Sequence, residues 1–238
     1  MTNYSSYEIN NADPSDKKRY IRSMFDSIVP TYDLLNRVLS GGIDNFWRKD
    51  LVRLIDGAKS RRTLDICCGT GDLTRQLVKG GAELFSLDFS FNMLKKGVEK
   101  GWLSGENISA DAGKLPFKNE SFDFLTIAFG IRNIPDVDIF LSESLRTLKP
   151  GGRLLILELT RPDNAFVRFF YNLYLTKILP FIGGILSGKR EAYGYLAGSI
   201  STFLDRDTLI ERIKIAGFKS VDYKRKTFGV ATIYICGK

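Results

Sequence analysis

Histidine is missing from all 238 residues of the chain. Ser-His-Asp triads, imidazole acid–base catalysis and His-ligated metals are therefore excluded, and any proton transfer must use Asp, Glu, Tyr, Lys or bound water. Cysteine is scarce: three residues, two of them adjacent as Cys67 and Cys68. That spacing is neither a disulfide framework nor a C-x-x-C zinc pair, and it points to a reducing, cytosolic compartment. The first twenty residues are polar and charged and lack the apolar core of a signal peptide. Long hydrophobic runs are missing too. The nearest, residues 166–186, is interrupted by Arg168, Lys177, Pro180 and Gly183-Gly184, so it does not read as a membrane span. Acidic charge is the minority, with 27 Asp+Glu against 35 Lys+Arg and a net charge of +8. Such a balance suits a soluble basic protein, a nucleic-acid binder or a protein that meets an anionic membrane.

What is present is a core. Hydrophobic residues make up 44% of the chain, enough for one large α/β domain without disulfides. Residues 1–16 read as a ragged terminus. From Lys17 to about Lys59 apolar residues recur at helical spacing, broken by Pro30 and Gly41-Gly42 into two or three helices. The period then changes. Short apolar runs at 63–67, 84–88, 107–110, 124–129 and 153–159 read as strands. Helices are expected over 72–79, 93–100 and 139–148, the last stopped by Lys149-Pro150-Gly151-Gly152 followed by a turn. Alternation at this spacing predicts a doubly wound parallel sheet. After a helix over 207–216, runs at 221–226 and 230–236 are too closely joined for a crossover and predict an antiparallel hairpin. The expected organisation is a helical cap over 1–60, a core over 61–160, a helical lid over 161–204, and a closing helix and hairpin over 205–238.

Gly69-Thr70-Gly71 follows the first strand and opens a helix, which lets a ligand approach the helix start. Alone it does not separate one nucleotide from another. A dinucleotide fingerprint requires a third glycine where this chain has Thr74, and a phosphate loop requires Gly-Lys-Ser/Thr where Gly71 is followed by Asp72. A carboxylate there repels a pyrophosphate. It suits a ligand with a cationic part, such as the ammonium of a methionine moiety, and it also complements a helix dipole. Asp88 closes the second strand about 20 residues after the glycines, where an acid accepts both ribose hydroxyls of a nucleoside; a surface loop acid is the plainer alternative. Asp111-Ala112, after the third strand, is placed to meet an adenine edge. Asp65, inside the first strand, is a costly burial unless hydrogen-bonded; it either orders the glycine loop or reaches the ligand through water.

With these residues in place, the chain resembles the UbiE/MenG family of quinone C-methyltransferases over nearly its whole length. Three stretches carry the resemblance: Tyr32 to Ser40 followed by Trp47, Leu64 to Thr74 with its Cys67-Cys68-Gly69-Thr70-Gly71-Asp72 loop, and Arg146 to Leu154. Phe129-Gly130-Ile131-Arg132-Asn133 and Leu115-Pro116-Phe117 agree. The chain departs from the family pattern at Asp44, where His is frequent, at Ala128, where Ser is frequent, and at Gly198 and Leu204. The resemblance implies a class I methyltransferase fold, Rossmann-like, with a seven-stranded mostly parallel sheet, an antiparallel C-terminal hairpin and an N-terminal helical cap. It implies S-adenosyl-L-methionine as methyl donor, contacted by Gly69, Thr70, Gly71, Asp88, Asp111 and Ala112. The implied substrate is a reduced polyprenyl quinone methylated at a ring carbon, with demethylmenaquinol expected ahead of the methoxybenzoquinol of the ubiquinone pathway.

A hydroquinol is a poor carbon nucleophile until a phenolic proton leaves. The candidates for that chemistry are Tyr32, Asp33, Arg132 and Asn133. Arg132 would stabilise the phenolate and Asn133 would hold a water or ring oxygen. Asp33 would accept the proton or serve only structure. No metal is expected. The aromatic stretch from Phe166 to Leu179 reads as a lid, or as a lid that also makes a peripheral contact with the inner face of the cell membrane. A homodimer is compatible with the resemblance. Nucleic acid is not an expected partner, because the chain lacks both an Asn/Asp-Pro-Pro-aromatic motif after strand four and a basic run interleaved with stacking aromatics. A non-catalytic assembly factor is the remaining alternative, hinted at by Asp44 and Ala128.

Overall fold

A computed structural model describes residues 13–55, 61–187 and 190–238. Most of the ragged stretch expected over 1–16, and the end of the predicted helical region, fall outside these residues; from Pro14 onward the chain is already helical. The strands are β1 (Arg62–Ile66), β2 (Glu83–Asp88), β3 (Glu106–Ser109), β4 (Phe122–Ala128), β5 (Leu148–Leu159), β6 (Ser220–Lys226) and β7 (Ala231–Gly237). They form one sheet in the order β3-β2-β1-β4-β5-β7-β6. The β1 to β5 pairs are parallel, and β7 runs antiparallel to both β5 and β6. The predicted hairpin is thus present. It inserts its second strand beside β5 and leaves its first on the edge.

The alternation along β5 shows why this sheet is covered on both faces. Leu154 and Ile156 pack into one core with Leu64, Ile66, Leu125 and Ile127, whereas Leu155 and Leu157 pack into a second with Leu77 and Ile233. Successive side chains of a strand point to opposite faces, and a continuous apolar run needs helices on each. Those helices are α1 (Pro14–Ile28), α2 (Tyr32–Ser40), α3 (Ile43–Val52), α4 (Thr74–Lys79), α5 (Phe91–Glu99), α6 (Val137–Thr147), α7 (Ala165–Leu173), α8 (Leu179–Ser187), α9 (Arg190–Thr202) and α10 (Arg206–Ile215). Several starts are written in the sequence as side-chain caps: Ser90, Asp136, Asn164 and Asp205 each accept a backbone N–H of the first turn.

Three details differ from the sequence reading. Lys149 to Gly152 is not a separate turn but the irregular start of β5, where the pairing with β4 shifts register between Phe122 and Phe124. Gly151 at φ +75° and a shielded Gly152 let the chain leave α6 directly into the strand. The helix expected from Asp72 begins at Thr74, because Asp72 and Leu73 still belong to the turn. The lid holds three helices, α7, α8 and α9, and the first runs into the second through a widened turn over Tyr174–Ile178. That turn lies just before Pro180, whose missing N–H removes a helical hydrogen bond at that point.

The strand order reverses between β1 and β4, so a crevice opens outside their carboxyl ends. Helices α1 and α7 to α9 close over it: Ile28 of α1 packs with Leu175, Leu179, Ala197 and Ile200. At the opposite end of the strands, Phe122 is fully buried and meets Phe85 and Phe117 edge-to-face, with ring centroids 5.3 and 4.8 Å away. Phe122→Ala removes this anchor, and the expected loss is about 3–5 kcal/mol of unfolding free energy in a urea titration. A loss under about 1 kcal/mol would show that the aromatic cluster is not a structural anchor.

Candidate functional site

The crevice is walled by two loops in contact. Cys67, after β1, and Phe129, after β4, both hold positive φ, at 54° and 61°. A Cβ on Gly130 would lie 2.6 Å from the Cys67 Cβ, so only glycine lets the loops approach this closely. In the glycine loop itself Gly71 sits at φ +92° against Leu103. Asp65 fixes the loop from below. Its carboxylate accepts from Thr74 Oγ1 at 2.7 Å and Thr126 Oγ1 at 2.9 Å, which ties β1 to the start of α4 and to β4. Of the two roles open to Asp65, ordering the loop is the one its geometry supports.

Asp88 ends β2 almost fully buried. Its two oxygens accept from the amides of Gly69 at 2.9 Å and Ser90 at 2.8 Å. Burial pushes its pKa up to about 6 despite those bonds. Each oxygen keeps a free lone pair, so the carboxylate can still take two hydroxyl donors. Asp111 receives Lys18 from α1 and the Gly113 amide at 2.9 Å. Asp111 and Ala112 line a chamber of about 430 Å³ together with Phe89, Cys67 and Asn133. A second, small chamber is lined by Asp72, Thr70, Asp65, Cys67, Tyr32 and Arg48. There Asp72 Oδ1 is buried without a hydrogen-bond partner among the described residues, with Arg75 and Arg37 nitrogens at 3.3 and 3.7 Å.

The third chamber is apolar, about 240 Å³, between the sheet edge, α1 to α3 and the lid. Asn133 links it to the first chamber, and Tyr32 and Arg48 link it to the second. Arg132 projects into its wall. Its Nη1 donates to Glu158 Oε1 at 2.5 Å and to the Phe129 carbonyl at 2.8 Å, while its Nε is buried without an acceptor among the described residues. Asn133 accepts from the hydroxyl of Tyr195 on α9 at 3.0 Å. Burial raises the Tyr32 phenol above its usual value, so it stays protonated at neutral pH. The thiols of Cys67 and Cys68 are held well above the ordinary range by burial and by neighbouring carboxylates, which removes them as nucleophiles.

Among the catalytic candidates, Tyr32, Arg132 and Asn133 come together on the apolar chamber. Asp33 does not: its carboxylate accepts from Thr70 Oγ1 and pairs with Lys100 on the glycine-loop side. Two residues that the sequence reading passed over belong to the site. Glu158 lies fully buried in β5 as the counter-ion of Arg132; a lone acid inside an apolar strand was its signal. Arg48 follows Trp47 on α3, and nothing local in the sequence marks it.

A model of the ubiE/COQ5 methyltransferase family matches residues 13–238. The chain belongs to the ubiE/COQ5 methyltransferase family. It is 39% identical to the ubiquinone/menaquinone biosynthesis C-methyltransferase UbiE of Saccharophagus degradans over 98% of this chain and 96% of that protein. It is 43% identical to the demethylmenaquinone methyltransferase of Thermotoga maritima over 92% of this chain and 96% of that protein. Among solved structures, a SAM-dependent methyltransferase of Thermotoga maritima, titled a possible histamine N-methyltransferase, aligns with a TM-score of 0.67 at 19% identity. It covers 91% of this chain and 99% of that one, which shows the shared class I methyltransferase fold.

In this methyltransferase the polar groups fit the expected donor, S-adenosyl-L-methionine. Asp72, ion-paired with Arg75 and Arg37 but with Oδ1 making no hydrogen bond among the described residues, can accept from an ammonium, Asp88 suits a pair of ribose hydroxyls, and the chamber beside Asp111 and Ala112 suits a purine. A carboxylate with a pKa near 6 is ionised above pH 6 and gains a proton below it, so a ligand that needs the ionised form binds fully at pH 7–8. Affinity for S-adenosylhomocysteine, measured by calorimetry, is expected to fall as pH drops below about 6, approaching tenfold per unit at the acid end. Asp88→Asn should weaken binding at pH 8 and flatten that dependence. An unchanged pH profile in the variant would remove Asp88 from the ribose contact.

Proposed function

We propose that this chain transfers a methyl group from S-adenosyl-L-methionine to a ring carbon of a reduced polyprenyl quinone, demethylmenaquinol in the first instance. The observation that carries this reading is an apolar chamber, sized for an aromatic head group and opening beside the cofactor chambers, with a buried guanidinium in its wall. The methoxybenzoquinol of the ubiquinone pathway is the second substrate, favoured by the similarity to an enzyme named for both pathways. When bound, the donor supplies an electrophilic methyl group. The chain's own contribution is to align it with the quinol and keep water out, an effect that removes ~7–11 kcal/mol from a barrier for a well-oriented pair.

Asp88, Asp111 with Ala112, Asp72 and the Gly69-Thr70-Gly71 backbone hold the donor. Asp33 belongs with this group, because its bonds to Thr70 and Lys100 fix the loop. Arg132 faces a ring oxygen and stabilises its anionic form. Asn133, bridged to the lid by Tyr195, positions the ring, and Tyr32 separates it from the cofactor. The phenolic proton leaves through the polar groove on the other side of Arg132, where Asp136 and Asp138 lie. Removing Arg132 outright would strand the buried Glu158, which destabilises a protein by about 3–5 kcal/mol. Arg132→Lys is therefore the cleaner variant. With a short-chain demethylmenaquinol and labelled donor, one methyl should appear per quinol and none on the oxidised quinone. Arg132→Lys should lower kcat by roughly 10²–10³. Lack of transfer to any quinol would overturn the substrate reading.

The isoprenoid tail of such a substrate comes from a bilayer. Among the described residues no helix is long and apolar enough to cross a membrane, but α7 presents Phe166, Phe169, Phe170 and Leu173 outward at i, i+3, i+4 and i+7, exposed between 44% and 73%. The same helix turns Tyr171 inward to the apolar chamber. This face is our proposed peripheral contact with the inner face of the cell membrane, assisted by the net positive charge. In co-sedimentation with vesicles containing anionic lipid, replacing the three phenylalanines by serine should cut binding at least about tenfold. Undiminished binding would rule the face out.

A further inference from the structure

Three buried donors have no acceptor among the described residues and line the same apolar chamber: Arg48 Nε, Arg132 Nε and the Tyr171 hydroxyl. Arg132 has its place above. Arg48 stands one helical turn beyond Asp44 on α3, and the two side chains are each 6% exposed. Asp44 takes Arg48 Nη1 and also the Ser40 hydroxyl at 2.7 Å. One face of the guanidinium lies over the Phe129 ring, 4.9 Å from its centroid. Arg48 is thus held at one nitrogen by a carboxylate and on one face by an aromatic ring, and its Nε is left without a bond. Among the described residues, only Arg48 and Tyr32 line both the apolar chamber and the Asp72 chamber, so they stand where a methyl group would cross.

We propose that Arg48 is a second cationic contact to the quinol, donating from Nε to the ring oxygen next to the carbon that receives the methyl group, with Asp44 as its positioning residue. The assignment rests on the quinol reading above. A buried N–H without an acceptor is costly to keep, and an aryl oxygen satisfies it only when substrate is in place. For the ring carbon to attack, its neighbouring hydroxyl gives its proton to water and the resulting anion pushes electrons into the ring. The carbon–methyl bond forms as the methyl–sulfur bond breaks, with that electron pair going to sulfur. The ring C–H proton then leaves, aromaticity returns, the oxygen regains a proton, and one proton is released per methyl transferred. A guanidinium beside that oxygen stabilises the anion.

The other titratable or charged groups on the chamber wall are Asp44, Arg132 and the tyrosines Tyr32, Tyr171, Tyr174 and Tyr195. Burial raises all four phenols above their usual value. On the Asp72 chamber Arg48 also faces Asp72 and Asp65, and burial raises the pKa of the latter to about 6, so it is the limb above about pH 7 that reports the substrate hydroxyl. The test measures kcat and KM for a short-chain demethylmenaquinol from pH 6 to 10 in wild type, Arg48→Lys, Arg48→Met and Asp44→Asn, with donor affinity by calorimetry. Arg48→Met should lower kcat by roughly 10²–10³ and move the limb up by at least about one pH unit. Arg48→Lys, which keeps the charge but not the Nε donor, should lose about tenfold with the limb nearly in place, and Asp44→Asn should fall between them. Donor affinity should stay within about threefold. If the Met variant does not fold, the Lys variant decides: wild-type kcat at every pH overturns the assignment. Active wild type with unaffected Arg48 variants overturns this inference alone, whereas a wild type that methylates no quinol overturns the substrate reading and this assignment with it.

Discussion

Asp65 is almost fully buried, and its two hydrogen bonds decide where the cofactor loop goes. Thr74 and Thr126 deliver their hydroxyls to its two oxygens from α4 and β4, so one carboxylate joins the three elements that meet at the crevice. The arrangement has a cost. Burial raises the pKa of Asp65, like that of Asp88, to about 6. A carboxylate whose folded pKa is raised favours folding most below its unfolded pKa and loses that advantage as pH rises through the folded value. At neutral pH each of the two acids therefore works against folding by about 3 kcal/mol. The fully buried aliphatic and aromatic layers on both faces of the sheet carry that load.

The charges around the crevice are sorted. Asp65, Asp72, Asp88 and Asp111 gather on the β1 to β3 side, where a sulfonium-bearing nucleoside would lie. Arg48 and Arg132 face the apolar chamber, where an aryl oxygen would become anionic. Each guanidinium has its own buried counter-ion, Asp44 or Glu158, and each keeps one unsatisfied Nε. A buried ion pair contributes little net stability but fixes the geometry of the groups in it. In both pairs the carboxylate holds the guanidinium in place and leaves a donor for a ligand. Preorganised donors of this kind need no rearrangement at the moment of reaction, which is where their catalytic value lies.

The sheet was legible because its signals are local. Five apolar runs, the glycines after the first, an acid at the end of the second and a short link before the last strand are each contained within a few residues. Asp88 could be placed at the end of its strand from local sequence, and it ends β2 there. The pairings were not legible. Asp33 looked available as a base, but Thr70 and Lys100, far along the chain, claim its carboxylate. Asn133 is met by Tyr195, 62 residues away, and the partner of Arg132 comes from another strand. Side-chain pairing across a fold depends on which surfaces the topology brings together, and no window of sequence contains that. Local chemistry misled at the start of α4, where Asp72 and Leu73 stay in the turn, and at Lys149 to Gly152, where a sequence suited to a turn became the irregular start of β5 because the β4 edge was there to receive it.

A chain without histidine has no side chain that titrates near neutrality unless its surroundings shift one. Burial has shifted Asp65 and Asp88 toward that range, and both lie at the glycine loop. On the acceptor side the phenols are pushed away from neutrality and the cations are arginines, which do not release protons. Among the described residues the carboxylate on that chamber wall is Asp44, whose oxygens are taken by Arg48 and Ser40, and two positive charges line the same wall. An enzyme built this way lowers the pKa of its substrate instead of matching one of its own groups to it. On the reading proposed above, the hydroxyl would ionise to water, a guanidinium would hold the anion, and the apolar walls would strengthen that attraction by excluding solvent. The missing histidine is then consistent with the chemistry: carbon methylation asks for a stabilised anion and an aligned methyl group, and neither requires a proton shuttle.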